Sequence, residues 1–270
     1  MTGTEAPTWA GPSQASARAG RELRSRYTAA DLSVFTPEEA NRFAPQGAGD
    51  PQTDMTLAWE LLYRLEPELY DRLAGAEHLH PGVVAWLPPD VDRIVEVGAG
   101  TGRLTLELID RARRVVAVEP ALPLRRILRR KLAAADKGDR ARVTHGFFDR
   151  LPLPDDFADV VVACSAFTPA AEHGGEGGLA EMERVCRPGG CVAIIWPNHL
   201  EWLAARGYQY VSFPGAMSVE FGSYADAVEL AEIFYSGAAD KVRRLGRRSV
   251  PSEVLGINPP RDVAFKVLAA

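Results

Sequence analysis

One stretch, Arg93-Ile-Val-Glu-Val-Gly-Ala-Gly-Thr-Gly-Arg-Leu104, limits the folds open to this chain more than any other. Ile94, Val95 and Val97 read as a short strand buried on both faces, as in a parallel sheet. Gly98, Gly100 and Gly102 then remove side chains where the backbone must turn sharply and where a ligand must come close. Leu104, Leu108 and Ala112 recur at helical spacing, which predicts a helix over 102–112. Such a helix would aim its free N–H groups at whatever lies on the loop.

The glycine spacing is G-x-G-x-G. It is neither the dinucleotide G-x-G-x-x-G nor a phosphate loop, which would end in Gly-Lys-Ser/Thr. Glu96 stands two residues before the first glycine. The next strand, Arg114-Val-Val-Ala-Val-Glu119, ends in an acid 17 positions beyond Gly102. A carboxylate at that strand tip can accept hydrogen bonds from both hydroxyls of a ribose laid across the sheet edge.

Two further stretches follow in order, Leu151-Pro-Leu-Pro-Asp155 and Glu181-Met-Glu-Arg-Val-Cys-Arg-Pro-Gly-Gly190. With these four motifs the chain resembles the class I S-adenosylmethionine-dependent methyltransferases, in particular their small-molecule, UbiE-like branch. The resemblance covers about residues 54 to 213 and the last strand. It implies an α/β fold: a doubly wound, seven-stranded, mostly parallel sheet of Rossmann-like type, its last strand antiparallel. N-terminal helices and an insertion between strands six and seven would complete it.

The run of elements agrees with that outline. Strands are expected at 93–97, 114–118, 142–145, 159–164, 191–196, 208–213 and 263–268. Helices are expected across 124–132, from 179 to 186 before the Arg187-Pro-Gly-Gly190 breaker, and near 199–206. Residues 1–50, rich in Ala, Gly, Pro, Ser and Thr, read as a flexible arm that Tyr27 and Phe35 anchor at most in part. Residues 54–270 make the methyltransferase domain. Within it, 54–90 are cap helices, 93–213 and 262–269 the cofactor-binding core, and 215–260 a lid-like insertion. That insertion contains a helix announced by Ser223 and Asp226 as a capping box.

The resemblance assigns roles residue by residue. Gly98, Ala99, Gly100 and Gly102 would let the methionyl tail and ribose lie against backbone. Glu96 would attract the methionyl ammonium, directly or through the loop amides. Glu119 would hold the ribose. In the family an acid precedes Leu-Pro and reads the adenine amino group. Phe147 occupies that place here, so either Asp149 substitutes or Phe147 and Phe148 sandwich the ring. Ser165 would line the passage between donor and acceptor.

Strand four ends in Cys164-Ser-Ala-Phe-Thr-Pro169 and lacks the Asn/Asp-Pro-Pro-aromatic motif of enzymes that methylate nucleobase amino groups. With a net charge of −5, no overall field draws the chain to nucleic acid or anionic lipid. The three cysteines have no metal-site spacing and read as reduced thiols of a cytoplasmic protein; no metal is expected. No apolar run reaches membrane-spanning length, and the first residues lack a signal-peptide core. For a proton acceptor the candidates are His173, after strand four, and His199, after strand five. An imidazole suits removal of a hydroxyl or thiol proton. The function expected is methyl transfer from S-adenosylmethionine to a small, partly apolar acceptor at oxygen, with carbon or nitrogen as other atoms. The alternative is a partner or regulatory subunit that binds the cofactor without chemistry. The sequence sets no oligomeric state.

Overall fold

The valine-rich runs lie side by side in the computed structural model, which describes residues 21–45 and 49–270. In chain order the elements before the sheet are α1 (Pro37–Phe43), α2 (Met55–Leu65), α3 (Pro67–Ala76) and α4 (Pro81–Trp86). The core follows as β1 (Val91–Val97), α5 (Thr105–Leu108), β2 (Ala112–Val118), α6 (Leu122–Ala134), β3 (Ala141–Thr144), β4 (Ala158–Cys164), α7 (Gly175–Val185) and β5 (Cys186–Ile195). After α8 (Leu200–Ala204) and β6 (Gln209–Ser212), the insertion holds β7 (Ser218–Glu220), α9 (Tyr224–Phe234), α10 (Ala239–Leu245), β8 (Ser249–Pro251) and α11 (Ser252–Leu255). β9 (Asp262–Val267) returns to the sheet.

The seven strands run in the order β3-β2-β1-β4-β5-β9-β6, with β9 antiparallel to both its neighbours. The sheet is therefore the doubly wound, mostly parallel one expected. Its order reverses between β1 and β4, and a crevice opens there beyond the strand ends, where open α/β sheets bind their ligands.

Alternation along the strands divides the core into two layers. Val95, Val97, Val116, Val118 and Val161 pack with Leu179, Met182 and Val185 of α7. Ile94, Val115, Ala117, Val160 and Val162 pack on the other face with Leu104, Leu108, Leu128 and Leu132. A further cluster joins Leu57, Leu61 and Leu73 of the cap helices to Phe221, Leu230, Phe234 and Val242 of the insertion. The insertion thus shares an apolar core with the cap helices. Ser223 caps α9 by accepting from the Asp226 amide at 3.0 Å, while the Asp226 carboxylate pairs with Arg72 instead of completing a box.

Three expectations need correction. The flexible arm is in part a packed segment: Leu23, Tyr27, Phe35 and Phe43 are buried, and Tyr27 donates to Glu66 at 2.8 Å. Residues 1–20 and 46–48 lie outside the described residues. The helix expected over 102–112 is only Thr105–Leu108, because glycines with positive φ occupy the preceding turn and β2 already starts at Ala112. Arg187-Pro-Gly-Gly190 does not break the chain between elements. It forms the start of β5, where a register shift absorbs the proline and Gly189 takes φ +73°.

Candidate functional site

Gly98 and Gly100 form the floor of a cavity of about 360 Å³ in the crevice beyond β1 and β4. Both have positive φ, +74° and +55°. A Cβ on Gly98 would lie 2.9 Å from the Phe148 ring, and one on Gly100 would lie 3.1 Å from the Tyr70 hydroxyl. Only bare backbone leaves the space open. Gly102 serves otherwise: its Cβ would meet Leu128 at 2.4 Å, so it lets the loop pack onto α6 and does not line the cavity. Ala99 is buried and also outside the cavity lining.

Glu119, at the tip of β2, forms one wall. Its Oε2 accepts from the Gly100 amide at 2.9 Å and its Oε1 from the Ala121 amide at 2.7 Å. Each oxygen keeps a second lone pair for a ligand hydroxyl. Burial raises its pKa, and the two backbone amides work against that rise. Glu96 lies elsewhere. It is 1% exposed beneath the loop, bonded to the Thr105 hydroxyl, and burial pushes its carboxyl up to about 8. It borders a separate gap of about 10 Å³, as does the Thr101 hydroxyl, a buried group with no hydrogen-bond partner. A direct contact of Glu96 with a ligand in the cavity is absent from this arrangement.

The expected aromatic sandwich also needs correction. Phe148 lines the cavity and meets Phe167 edge-on at 5.3 Å. Phe147 faces the other way, against Phe43 and under the Arg42 guanidinium at 4.3 Å. The tight turn that pairs Phe147 with Arg150 separates the two rings. Asp149 is bonded to Arg42 at 2.7 Å and is not in the lining. Of the two histidines, His173 is on the cavity wall, whereas His199 precedes α8 with its side chain exposed. Ser165 opens onto the cavity in a left-handed conformation, φ +58°, and so does Trp196 after β5, at +55°. Both strand ends thus turn strained residues toward the crevice.

Glu60, Glu77, Arg103 and Asn198 line the cavity with no role expected from sequence. Arg103 follows the last loop glycine, pairs with Glu77 at 3.0 Å and lies 5.2 Å from the Trp196 ring centre. Glu77 also accepts from the Tyr235 hydroxyl, which ties the glycine loop to the insertion. Trp59, Tyr63 and Tyr70 from the cap helices and Phe234 from α9 cover the opening, with Trp59 and Phe234 stacked at 5.5 Å. The signal for Arg103 was its position in the loop motif. For Glu60, Glu77 and Asn198 no local pattern existed.

Residues 94–190 match the family model described as a methyltransferase domain. Over this stretch the chain is similar to methyltransferase domains. An uncharacterized methyltransferase of Mycobacterium tuberculosis is 31% identical over 145 residues, covering 51% of this chain and 54% of that relative. One of Geobacillus thermodenitrificans is 32% identical over 101 residues, covering 37% of this chain and 45% of the relative. The chain spans about half the length of the curated relatives it matches. Among solved structures, the cyclase SpnF superposes with a TM-score of 0.51 at 16% identity, covering 77% of this chain and 95% of that one.

S-adenosylmethionine is the methyl donor of the family that the sequence resembles, and the residues of the cavity fit it. Bare backbone meets the cavity at Gly98 and Gly100, and a buried carboxylate stands at the β2 tip. Glu60, Glu77 and Glu119 line the space against one cation, Arg103, which suits a ligand carrying a positive sulfonium.

Proposed function

We propose that this protein transfers a methyl group from S-adenosylmethionine to a small, partly apolar acceptor, at a hydroxyl oxygen. The observation that carries the reading is the buried Glu119 carboxylate, tied to the Gly100 amide on the wall of the crevice cavity. The SpnF cyclase shares the architecture, so the sheet by itself names no reaction. The match over 94–190 is what favours methyl transfer.

When bound, the donor supplies a methyl group already activated on a sulfonium. Glu119 would hold its ribose, Gly98 and Gly100 would carry its tail, and Phe148 would face its base. The aromatic cover of Trp59, Tyr63, Tyr70 and Phe234 excludes water and gives the acceptor an apolar surface. His173 is the side chain on this wall suited to take the acceptor's proton.

Calorimetry with S-adenosylhomocysteine and with NADH tests the cofactor reading. Binding of the first alone supports it; binding of NADH alone overturns it. Transfer of a radiolabelled methyl group to a panel of small phenols and alcohols, with Glu119→Ala as control, then tests the acceptor.

A further inference from the structure

Glu60 stands on the cavity wall with its carboxylate anchored in a buried ion network. One turn along α2, Arg64 donates through Nη1 to Glu60 Oε2 at 2.6 Å and to the Glu60 carbonyl at 2.8 Å. The other edge of the guanidinium, Nε and Nη2, reaches Glu39 Oε1 at 3.2 and 2.8 Å. Glu39 is itself fixed, since its Oε2 accepts from the Thr36 amide at 2.9 Å at the start of α1. The rings of Phe35 and Phe43 flank the guanidinium at 4.9 and 5.2 Å, and the Arg64 side chain is 3% exposed.

The trio holds two carboxylates against one guanidinium away from water, an expensive arrangement unless something balances it. What faces the remaining oxygen, Glu60 Oε1, is His173 Nε2 at 3.9 Å. Both side chains line the same cavity. The His173 backbone is pinned too: its carbonyl accepts from the Thr168 amide at 3.0 Å, and Gly175 returns a bond to the Thr168 carbonyl at 3.0 Å. Gly174, at φ +112°, has no room for a side chain against the Phe167 ring.

We propose that Glu60 is a positioning residue for His173: held by Arg64 and Glu39, its carboxylate orients the imidazole and balances the charge that His173 gains with the acceptor's proton. In that step the acceptor O–H bond breaks, an N–H bond forms on the imidazole, and the electron pair stays on the acceptor oxygen. The source of the proton rests on the methyl-transfer reading; the pairing of Glu60 with His173 does not. Burial raises Glu60 to about 7 in spite of Arg64. The other charged or titratable groups acting on it are Glu39 from α1, Glu119 from the β2 tip and neighbouring Tyr63. Through Glu39 the segment before the cap helices becomes part of the site.

The test is an NMR titration of the five histidines of the full chain, with His173→Gln to assign the resonance. Glu60→Gln is expected to lower the His173 midpoint by about one pH unit or more, a tenfold loss of proton affinity, with the other histidines unmoved. Glu39→Gln is expected to lower it by a smaller step. Glu60→Asp, which keeps the charge on a shorter arm, falls between wild type and Glu60→Gln. An unchanged His173 midpoint in Glu60→Gln overturns the proposal. Should that variant not fold, an unchanged midpoint in Glu39→Gln does so. Binding of S-adenosylhomocysteine is measured separately on the wild type, so loss of the methyl-transfer reading is distinguishable from loss of the pairing.

Discussion

The Gly100 amide donates to Glu119 Oε2 at 2.9 Å, so a single carboxylate locks the turn after β1 to the tip of β2. The same group then both shapes the loop and lines the cavity. Glu119→Ala removes its ligand contacts and frees the loop amide. At about 1 kcal/mol for each of two or three hydrogen bonds, S-adenosylhomocysteine binding weakens by a factor of about 30 to 150. Calorimetry reads this directly.

The loop glycines separate by role. Gly98→Ala forces a Cβ to within 2.9 Å of the Phe148 ring, on the cavity side, and is expected to impair ligand binding. Gly102→Ala drives a Cβ into Leu128 at 2.4 Å with φ at +96°. Strain of that kind costs about 1–3 kcal/mol, and its main effect falls on the melting temperature. Thermal melting and ligand titration on both variants check the contrast.

Phe148 and Phe147 provide a second contrast. Phe148→Ala opens the cavity wall and lowers nucleoside affinity. Phe147→Ala instead removes a buried ring from between Phe43 and His145 and costs stability, about 3–5 kcal/mol. If Phe147→Ala weakened ligand binding more than Phe148→Ala did, the orientation of the two rings would be wrong.

Binding of the charged donor should depend on pH more than binding of its neutral product. Burial raises Glu60 to about 7, so it is mostly protonated at pH 6 and mostly ionised at pH 8. An ionised carboxylate attracts the sulfonium; the thioether gains nothing comparable. The affinity of S-adenosylmethionine relative to S-adenosylhomocysteine therefore rises several-fold over that interval, with protons released on binding. Calorimetry in buffers of different ionisation enthalpy measures both.

Glu96 makes a stability prediction. Its folded carboxyl sits at about 8, raised by burial from the ordinary value of 4.5. Between those two values the folded state holds a proton that the unfolded chain has lost. Stability contributed by the protonated form is complete below 4.5 and is lost as pH rises toward 8, by up to about 1.4 kcal/mol per pH unit. Glu96→Gln carries no such charge, so its melting temperature declines less steeply across this window.

Much of the sheet was legible because its signals are local. Apolar runs mark β1, β2, β4 and β5, and Glu119 sits where strand two must end. Reading 1–50 by its average composition left Tyr27 and Phe35 as the only anchors and passed over Leu23 and Phe43, whose partners lie on α2, α3 and the insertion. His199 was chosen by its place after a strand, yet the turn into α8 leaves it in solvent. Phe147 and Phe148 are equivalent on paper until the turn to Arg150 sends them apart. Glu60, Glu77 and Arg103 acquire meaning only from each other and from His173 and Tyr235, and no spacing rule encodes such encounters.

The segment between β6 and β9 leaves and rejoins the sheet at one doorway. Ser212 and Asp262 are paired across the strands, and the Ser212 hydroxyl bonds to the Asp262 carboxylate at 2.5 Å. An excursion whose two ends are clasped so near together can change length without shifting any strand, provided that its apolar face still meets the cap helices. Chimaeras grafted at this doorway offer a route to new acceptors on an unchanged nucleoside platform.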